Sequence, residues 1–228
     1  MLLFIFLIFL ILIFVKLFII EKIHIDLRSF LKKGFAKLDD KFGLYCYTGK
    51  QGKGKTYSAI KFLIDQKIKN NYIIITNVYS FNYFTDTIYF DKIDEMIDFV
   101  IEHENDKQKY IVFFDEIFTI LEKKTAMNKK ILSFLSQLRK RKILFITTAQ
   151  EWSEINITFR RYCRFQIACN MFEFFGLAFI YNAINDGDQI KWNNDLQEFE
   201  APRVSANFAK CNKYIIDSYN TFETIKTS

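Results

Sequence analysis

The chain has 228 residues, which is enough for one α/β domain with an appendage and too few for two full domains. Its 32 Lys and Arg against 26 Asp and Glu give a formal net charge of +6, which suits an anionic partner such as nucleic acid or lipid headgroups without choosing between them. The four cysteines form no C-x-x-C pair and have no histidine nearby at zinc-ligand spacing, so we expect packing thiols rather than a disulfide framework or a zinc site.

The first twenty residues are apolar except for Lys16. As a helix rising about 1.5 Å per residue they would span roughly 30 Å of hydrocarbon. No basic residue precedes this run, whereas several follow it: Lys22, Arg28, Lys32, Lys33, Lys37 and Lys41. The length and apolar character of the run predict an uncleaved membrane anchor over residues 1–20, and the positive-inside rule predicts that the remainder is cytoplasmic. A cleaved signal peptide and a buried core helix are the alternatives. Residues 21–42 are expected to form an amphipathic juxtamembrane linker, with a solvated helix as the simplest form.

From Gly43 onward, short β-rich runs alternate with stretches in which apolar residues recur every three or four positions. This alternation predicts an α/β fold over residues 43–228, with a mainly parallel central sheet flanked by helices. Strands are predicted at 43–48, 72–78, 109–115 and 142–150, and helices at 55–70, 91–103, 127–140 and just after Glu151. Beyond Arg164, aromatic alternation predicts additional strands or a hairpin around residues 185–188.

Residues 49–56 match G-x-x-x-x-G-K-[ST] at every fixed position and lie between a predicted strand and a predicted helix. The glycines allow backbone N–H groups to surround phosphate oxygens, and the helix adds the positive end of its dipole. Lys55 is expected to neutralise the β- and γ-phosphates of ATP, and Thr56 to bind Mg²⁺. The residues predicted to bind the nucleotide are Gly49, Lys50, Gln51, Gly52, Lys53, Gly54, Lys55, Thr56 and Tyr57. A chance Gly- and Lys-rich loop is the alternative.

Two carboxylates, Asp115 and Glu116, follow the apolar strand YIVFF. A buried strand delivers such residues to the carboxyl edge of the sheet, where ligands of open α/β folds bind. Asp115 is expected to hold the magnesium shell, and Glu116 to polarise the attacking water. A general base beside the carboxylate that holds magnesium is well placed to activate a water molecule. The pair therefore favours hydrolysis of ATP over phosphate transfer to a small acceptor.

Gln150 ends a further apolar strand and is expected to sense the γ-phosphate or to orient the water, although an exposed loop start would look the same. Transition-state charge is often stabilised by an arginine of a neighbouring subunit, so an oligomer is expected. The candidates are Arg139, Arg141, Arg160 and Arg161. Solvated basic faces are the alternative for each, and the run around Arg139 could instead touch a nucleic-acid backbone.

Taken together, these motifs resemble the zonula occludens toxin-like assembly ATPases of filamentous phages, within the HerA- and FtsK-like P-loop superfamily. The resemblance runs from about Leu44 to Glu223 and rests on GKQGKGKT, ITNV (75–78), VFFDE (112–116), LSQLRKRKILFITTAQ (135–150), EINITFRRYCRF and YNTFE (219–223). It implies a motor at the host cell membrane that couples ATP hydrolysis to assembly and export of a virion containing single-stranded DNA. Its own copies, coat protein and single-stranded DNA would be its partners. Such relatives usually carry the membrane helix after the ATPase domain, whereas here the apolar segment comes first.

Three other functions remain open from the sequence. The motor could package DNA into a capsid or transfer it in conjugation. A membrane scaffold with a relic nucleotide pocket is a second possibility, although intact Lys55, Thr56, Asp115 and Glu116 speak against it. A small-molecule kinase is a third, and the hydrophobic anchor together with the adjacent Asp115 and Glu116 makes it the weakest.

Overall fold

The computed structural model describes residues 2–16, 23–25, 42–103, 109–117, 128–189, 191–193 and 198–220. The helices are α1 (Leu2–Phe14), α2 (Lys55–Asn70), α3 (Ile93–Glu102), α4 (Lys129–Gln137), α5 (Ile157–Tyr162) and α6 (Lys213–Ile216). The strands are β1 (Ile23–Ile25), β2 (Gly43–Thr48), β3 (Ile73–Thr76), β4 (Ile88–Tyr89), β5 (Tyr110–Phe114), β6 (Leu144–Ala149), β7 (Cys163–Phe174), β8 (Leu177–Asp186), β9 (Lys191–Asn193), β10 (Glu198–Glu200) and β11 (Arg203–Lys210).

Nine of these strands form one sheet in the order β1-β11-β8-β7-β2-β6-β5-β3-β4, and β9 pairs with β10 apart from it. The pairings along β7, β2, β6, β5, β3 and β4 are all parallel. β8 is antiparallel to both of its neighbours, β7 and β11, while β1 is parallel to β11. Within the described chain, β8 is thus the single strand of this sheet that runs against the others. The predicted α/β fold with a mainly parallel sheet is confirmed.

The central strand β2 shows why the sheet carries helices on both faces. All six of its residues are buried, and the four from Leu44 to Tyr47 alternate between two apolar clusters. Tyr45 and Tyr47 pack with α2 on one face, whereas Leu44 and Cys46 pack with α3, α4 and α5 on the other. A strand buried on both faces reads as a continuous apolar run, which is the pattern seen in the sequence.

Several predicted bounds agree with the structure. The strand at 43–48 and the helix at 55–70 are observed at those residues, and the strands at 72–78, 109–115 and 142–150 are each one to three residues shorter at their ends. The helix predicted after Glu151 is a short 3₁₀ turn, Trp152–Glu154, followed by α5.

The hairpin predicted around residues 185–188 is wrong in position. The chain turns at Phe175 and Gly176, whose φ angles are 49° and 70°, between β7 and β8. A two-residue hairpin loop favours positive φ at both of its central residues. Here the first of them is Phe175, a residue type that is not typical of turns and therefore gave no turn signal in the sequence. Residues 187–189 instead form a 3₁₀ turn after β8, where Gly187 packs against the Cys163 carbonyl.

The N-terminal segment also differs from the prediction. Helix α1 has 13 residues, which at about 1.5 Å per residue is roughly 20 Å, short of a hydrocarbon core of about 30 Å. Among the described residues, no helix combines the length and apolar character needed to cross a membrane. The prediction of a single-pass membrane protein anchored by residues 1–20 is therefore wrong. Of the predicted linker at 21–42, Ile23–Ile25 form a strand on β11 instead of part of a helix, and residues 26–41 lie outside the described chain.

Candidate nucleotide-binding site

The glycine- and lysine-rich loop lies at the carboxyl edge of the sheet, between the end of β2 and the start of α2. Its first residue is tied to the neighbouring strand end, because the Gly49 N–H donates to the Gln150 carbonyl at 3.2 Å. Parallel pairing of β2 with β6 brings the ends of both strands to the same edge, and β7, which is also parallel to β2, continues past this edge into its hairpin with β8. This is the edge at which open α/β sheets bind ligands.

Two of the loop glycines are required by close packing against the β7–β8 hairpin. A Cβ on Gly49 would lie 2.8 Å from the Cys169 carbonyl oxygen, and one on Gly54 would lie 2.6 Å from Ile180 Cδ1. The φ of Gly54 is 79°, in the left-handed region that other residues adopt at a cost. By contrast, a Cβ on Gly52 would meet no described atom within 4 Å. The hairpin therefore supports the loop from one side, and the turn at Gly52 faces open space.

The start of α2 is built to receive an anion. Gly54 occupies the helix N-cap and offers no side-chain hydrogen bond to the first turn, so the first N–H groups lack the usual side-chain cap. Lys55 is only 9% exposed, and its Nζ donates to the Lys50 carbonyl at 3.3 Å, which folds the ammonium back over the loop. Uncapped N–H groups with a lysine across them form a phosphate cradle.

The carboxylate of Asp115 meets the loop from the neighbouring strand. Thr56 Oγ1 donates to Asp115 Oδ2 at 3.2 Å, and Thr148 Oγ1 donates to the other carboxylate oxygen. Burial raises the pKa of Asp115, opposed by the hydrogen bonds from Thr148 and Thr56 and by the charge of Lys55. A threonine hydroxyl and a carboxylate at this spacing are the hard oxygen ligands that Mg²⁺ prefers. Thr56 and Asp115 are thus the residues that would hold the metal.

Two positioning residues were missed by the sequence reasoning. Asn77 is 5% exposed; its Oδ1 accepts from the Asp115 N–H at 2.8 Å and its Nδ2 donates to the Asp115 carbonyl at 3.2 Å. Thr148 Oγ1 also accepts from the Glu116 N–H at 2.9 Å. Both residues belong to segments on which the resemblance rests, ITNV (75–78) and LSQLRKRKILFITTAQ (135–150). A search for polar residues at every predicted strand end would have found them.

Glu116 follows Asp115 in a left-handed backbone conformation, with φ at 52°. This conformation costs a non-glycine residue roughly 1–2 kcal/mol, and such strain clusters at functional sites. The bond from its N–H to Thr148 holds the turn in place. Glu116 is partly exposed at the edge, which its predicted role as a base acting on water requires.

Gln150 and Tyr57 lie differently with respect to the loop. Gln150 is an exposed residue, and its contact with the loop is made by its backbone carbonyl, which accepts the hydrogen bond from the Gly49 N–H. Tyr57 is 1% exposed, and its hydroxyl accepts from the Asn212 N–H at 2.8 Å, so its side chain lies in the core beneath the C-terminal residues. Only the backbone of Tyr57 faces the position predicted for the nucleotide.

The predicted arginines are not brought to the loop within one chain. Arg139 pairs with Asp188 and packs beside Gly43, the first residue of β2, so it lies at the opposite edge of the sheet. Arg141 donates to Gln137 at 2.8 Å just before β6 begins, at that same edge. The guanidinium of Arg160 stacks over the Trp152 ring at 5.9 Å, and Arg161 is exposed near the end of α5. A role for any of them in a neighbouring subunit stays a prediction.

Comparison with known proteins agrees with this architecture. Residues 45–172 match the ATPase family associated with various cellular activities (AAA). No protein of curated function matches the chain. The chain is similar to the N-terminal domain of zonular occludens toxin from Neisseria meningitidis, with 14% identity and a TM-score of 0.50 over 78% of this chain and 98% of that one. It is also similar to the genome packaging NTPase of Sulfolobus turreted icosahedral virus 2 in complex with ATP-gammaS, with 11% identity and a TM-score of 0.52 over 72% and 97%.

At these identities the structural likenesses establish the fold, and at that level the resemblance predicted from the motifs is confirmed. The family match covers more than half of the chain and includes the phosphate loop, Asp115 and Glu116. The chain therefore belongs to the ATPase family associated with various cellular activities and is a P-loop ATPase.

Proposed function

We propose that this ATPase couples hydrolysis of Mg²⁺-bound ATP to the assembly and export of a filamentous phage that contains single-stranded DNA. The observation that carries hydrolysis is the contact of Thr56 with Asp115, which joins the phosphate loop to the strand bearing Glu116. The cargo is supported by the motifs shared with the toxin-like assembly ATPases and by the fold-level likeness to the toxin domain. That likeness spans nearly the whole of the toxin domain.

Each residue of the site has a defined task in this reaction. The loop N–H groups and Lys55 would bind the phosphates, and Thr56 and Asp115 would hold Mg²⁺, which would neutralise charge on the phosphate oxygens. Glu116 would take a proton from the attacking water. Thr148 forms hydrogen bonds with the Asp115 carboxylate and with the Glu116 backbone N–H, so it would set the spacing between the metal ligand and the general base. Gln150, one residue past the end of β6, would orient the water or sense the γ-phosphate.

A second copy of the chain is part of this proposal. A P-loop site that hydrolyses quickly usually receives an arginine at the transferred phosphate. Among the described residues, Arg139 and Arg141 lie at the opposite edge of the sheet from the loop, Arg160 packs over Trp152, and Arg161 is exposed. Self-association would bring one of them to a neighbour's site. Coat protein and single-stranded DNA are the further partners proposed.

The test is the ATPase activity of the purified chain, measured alone, with single-stranded DNA and with duplex DNA, using Lys55→Ala as the control for contaminating activity. Stimulation by single strands is expected. In a phage-producing cell, Lys55→Ala should stop virion release while coat protein and DNA still accumulate. Normal release by that variant would refute the proposal.

Packaging of DNA into a capsid is the second candidate. It is favoured by the likeness to a viral genome packaging NTPase over 97% of that protein's chain. A packaging motor acts on its genome during capsid filling, so stimulation by duplex DNA alone would select this function over virion export.

A further inference from the structure

The edge of the sheet opposite the nucleotide site, at which the parallel strands begin, carries a row of basic side chains. Lys109 precedes Ile111 of β5 by two residues, and Lys142 precedes Leu144 of β6 by two residues. Ile111 and Leu144 are register partners, so the two lysines lead into neighbouring strands at the same level. Neighbouring strands lie about 4.8 Å apart, which brings these two positive charges close together.

Two arginines extend this row past the start of β2. A Cβ on Gly43, the first residue of β2, would lie 3.7 Å from Arg139 Cγ and 3.4 Å from Arg164 Cβ. Both guanidinium groups pair with Asp188, in the case of Arg164 at 3.8 Å. Asp186 ends β8 at the same edge and accepts a hydrogen bond from the Asp188 N–H at 3.0 Å. The arginines are therefore balanced by carboxylates, and the excess positive charge of the edge lies at the lysines.

The lysines have no such balance. Among the described residues, no ion pair joins Lys109, Lys142 or the nearby exposed Lys140 to a carboxylate. Like charges at matching positions of neighbouring strands are destabilising, so this arrangement favours an anion that neutralises them. From β5 to β7 the row crosses three strand spacings, which is about 14 Å. We call Lys109, Lys140, Lys142, Arg139 and Arg164 the amino-edge row.

An aromatic ring lies within the row. The Lys109 ammonium lies over the Phe42 ring, with 5.5 Å between Nζ and the ring centroid. Phe42 is partly exposed, and its ring also contacts Tyr72, with the two centroids 6.3 Å apart. Proteins that bind single-stranded nucleic acid combine a basic surface along the backbone with aromatic rings on which unpaired bases stack.

We propose that the amino-edge row binds the phosphate backbone of single-stranded DNA, with Phe42 as the ring that contacts an unpaired base. The charges suit any polyanion, and the ring favours a single strand, because the bases of a duplex are stacked on one another. The inference rests on the proposed function, since it locates the contact of that motor with its DNA. β2 has six residues, so about 20 Å separates this edge from the phosphate loop, and DNA and ATP can be bound at the same time. Arg139 then contacts DNA, which leaves Arg141, Arg160 and Arg161 as candidates for a neighbour's nucleotide site.

The experiment compares the double variant Lys109→Gln/Lys142→Gln with the wild-type chain. The matched control is Lys92→Gln/Lys129→Gln, which removes two exposed lysines that precede α3 and begin α4, away from the amino-edge row. Binding of a labelled oligothymidylate is followed by fluorescence anisotropy at several salt concentrations from about 50 to about 200 mM. For Lys109→Gln/Lys142→Gln we expect the Kd at the lowest salt to rise roughly tenfold, and the slope of log Kd against log salt to fall by about 0.7 for each charge removed. The control should match wild type in both quantities.

Phe42→Leu separates stacking from charge, because it keeps an apolar side chain at the same place and removes the ring. We expect it to raise the Kd for oligothymidylate about fivefold or more, as for one lost base–aromatic contact, with an unchanged salt slope. The thermal midpoint of every variant is measured alongside. Lys142→Gln alone replaces any double variant whose midpoint falls, and about half of the change in slope is then expected.

Wild-type affinity and salt slope in Lys109→Gln/Lys142→Gln overturn the inference. Equal losses in the control variant also overturn it, since they indicate a general effect of net charge. A greater loss on duplex than on single-stranded DNA, or a loss confined to phosphatidylserine vesicles, assigns the row to another polyanion and likewise overturns it. These outcomes leave the export proposal standing, which fails separately if Lys55→Ala releases virions normally.

Discussion

Replacing Asn77 with alanine tests how the strand end that carries Asp115 is held. The side chain makes two hydrogen bonds to the Asp115 backbone, at 2.8 and 3.2 Å, in a position that is 5% exposed. Removing the amide leaves a buried N–H without its acceptor, which costs about 1–3 kcal/mol, and loses a second bond worth about 1 kcal/mol. We therefore expect Asn77→Ala to lower the free energy of unfolding by roughly 2–4 kcal/mol.

For a chain of this size, that loss corresponds to a fall of roughly 5–15 °C in the thermal midpoint. Urea unfolding of the nucleotide-free protein, followed by circular dichroism, measures the loss of unfolding free energy directly. A matched control is Asn70→Ala, which removes a single hydrogen bond, from the exposed Asn70 amide to Gln66 at 2.9 Å on α2, and should cost about 1 kcal/mol.

Function gives the second readout for the same variant. Because Asn77 orients the residue expected to bind the metal, Asn77→Ala should also weaken binding of an ATP analogue in Mg²⁺ more than in EDTA. An Asn77→Ala protein as stable as Asn70→Ala, with unaltered Mg²⁺ dependence, would refute the reasoning, because it would show that the strand end holds its geometry without the amide.

Four further outcomes are expected. Lys55→Ala should abolish nucleotide binding or turnover, as measured by equilibrium binding and phosphate release, and full activity would exclude the loop as the phosphate site. Glu116→Gln should bind ATP but leave it unhydrolysed, and normal turnover would remove that residue from the mechanism. Gly54→Ala should destabilise the protein by roughly 1–3 kcal/mol more than Gly52→Ala in urea, because both positions have positive φ but only the first meets a side chain at 2.6 Å; equal losses would contradict this packing. The pKa of Asp115 is higher in the folded than in the unfolded chain, so ionisation of this carboxyl destabilises the nucleotide-free fold, and the cost is relieved as the pH falls through the folded-state pKa. Asp115→Asn should therefore have a higher thermal midpoint than wild type at pH 7 and lose that advantage near pH 4. A difference in thermal midpoint that does not change with pH would contradict a raised pKa for Asp115.

Local patterns in the sequence were sufficient for the core of the fold. The run from Gly43 to Thr48 is apolar throughout because the strand is buried on both faces, and the helix that follows it begins at Lys55, where the glycine-rich loop ends. Such signals depend on neighbours within a few residues, so periodicity detects them. The turn at Phe175 and Gly176 escaped because its first residue adopts positive φ without a residue type that favours it.

The N-terminal prediction failed for a different reason. Hydropathy over residues 1–20 measures how well a segment would dissolve in lipid, but says nothing about where a helix ends. In the structure α1 ends at Phe14, and Ile23–Ile25 join the sheet edge beside β11. Pairing with a strand about 180 residues later in the chain leaves no periodic signal in a three-residue segment.

What the sequence by itself determined is the chemistry of the site: the phosphate loop through Lys55 and Thr56, and the acids Asp115 and Glu116 at the end of an apolar strand. These residues are identifiable because their types and spacing within one loop or strand end are dictated by phosphate and metal binding. Only the tertiary structure decided how the two acids are held, through Asn77 and Thr148. Those two side chains come from the ends of separate strands, and they meet because parallel strands bring their carboxyl ends to one edge.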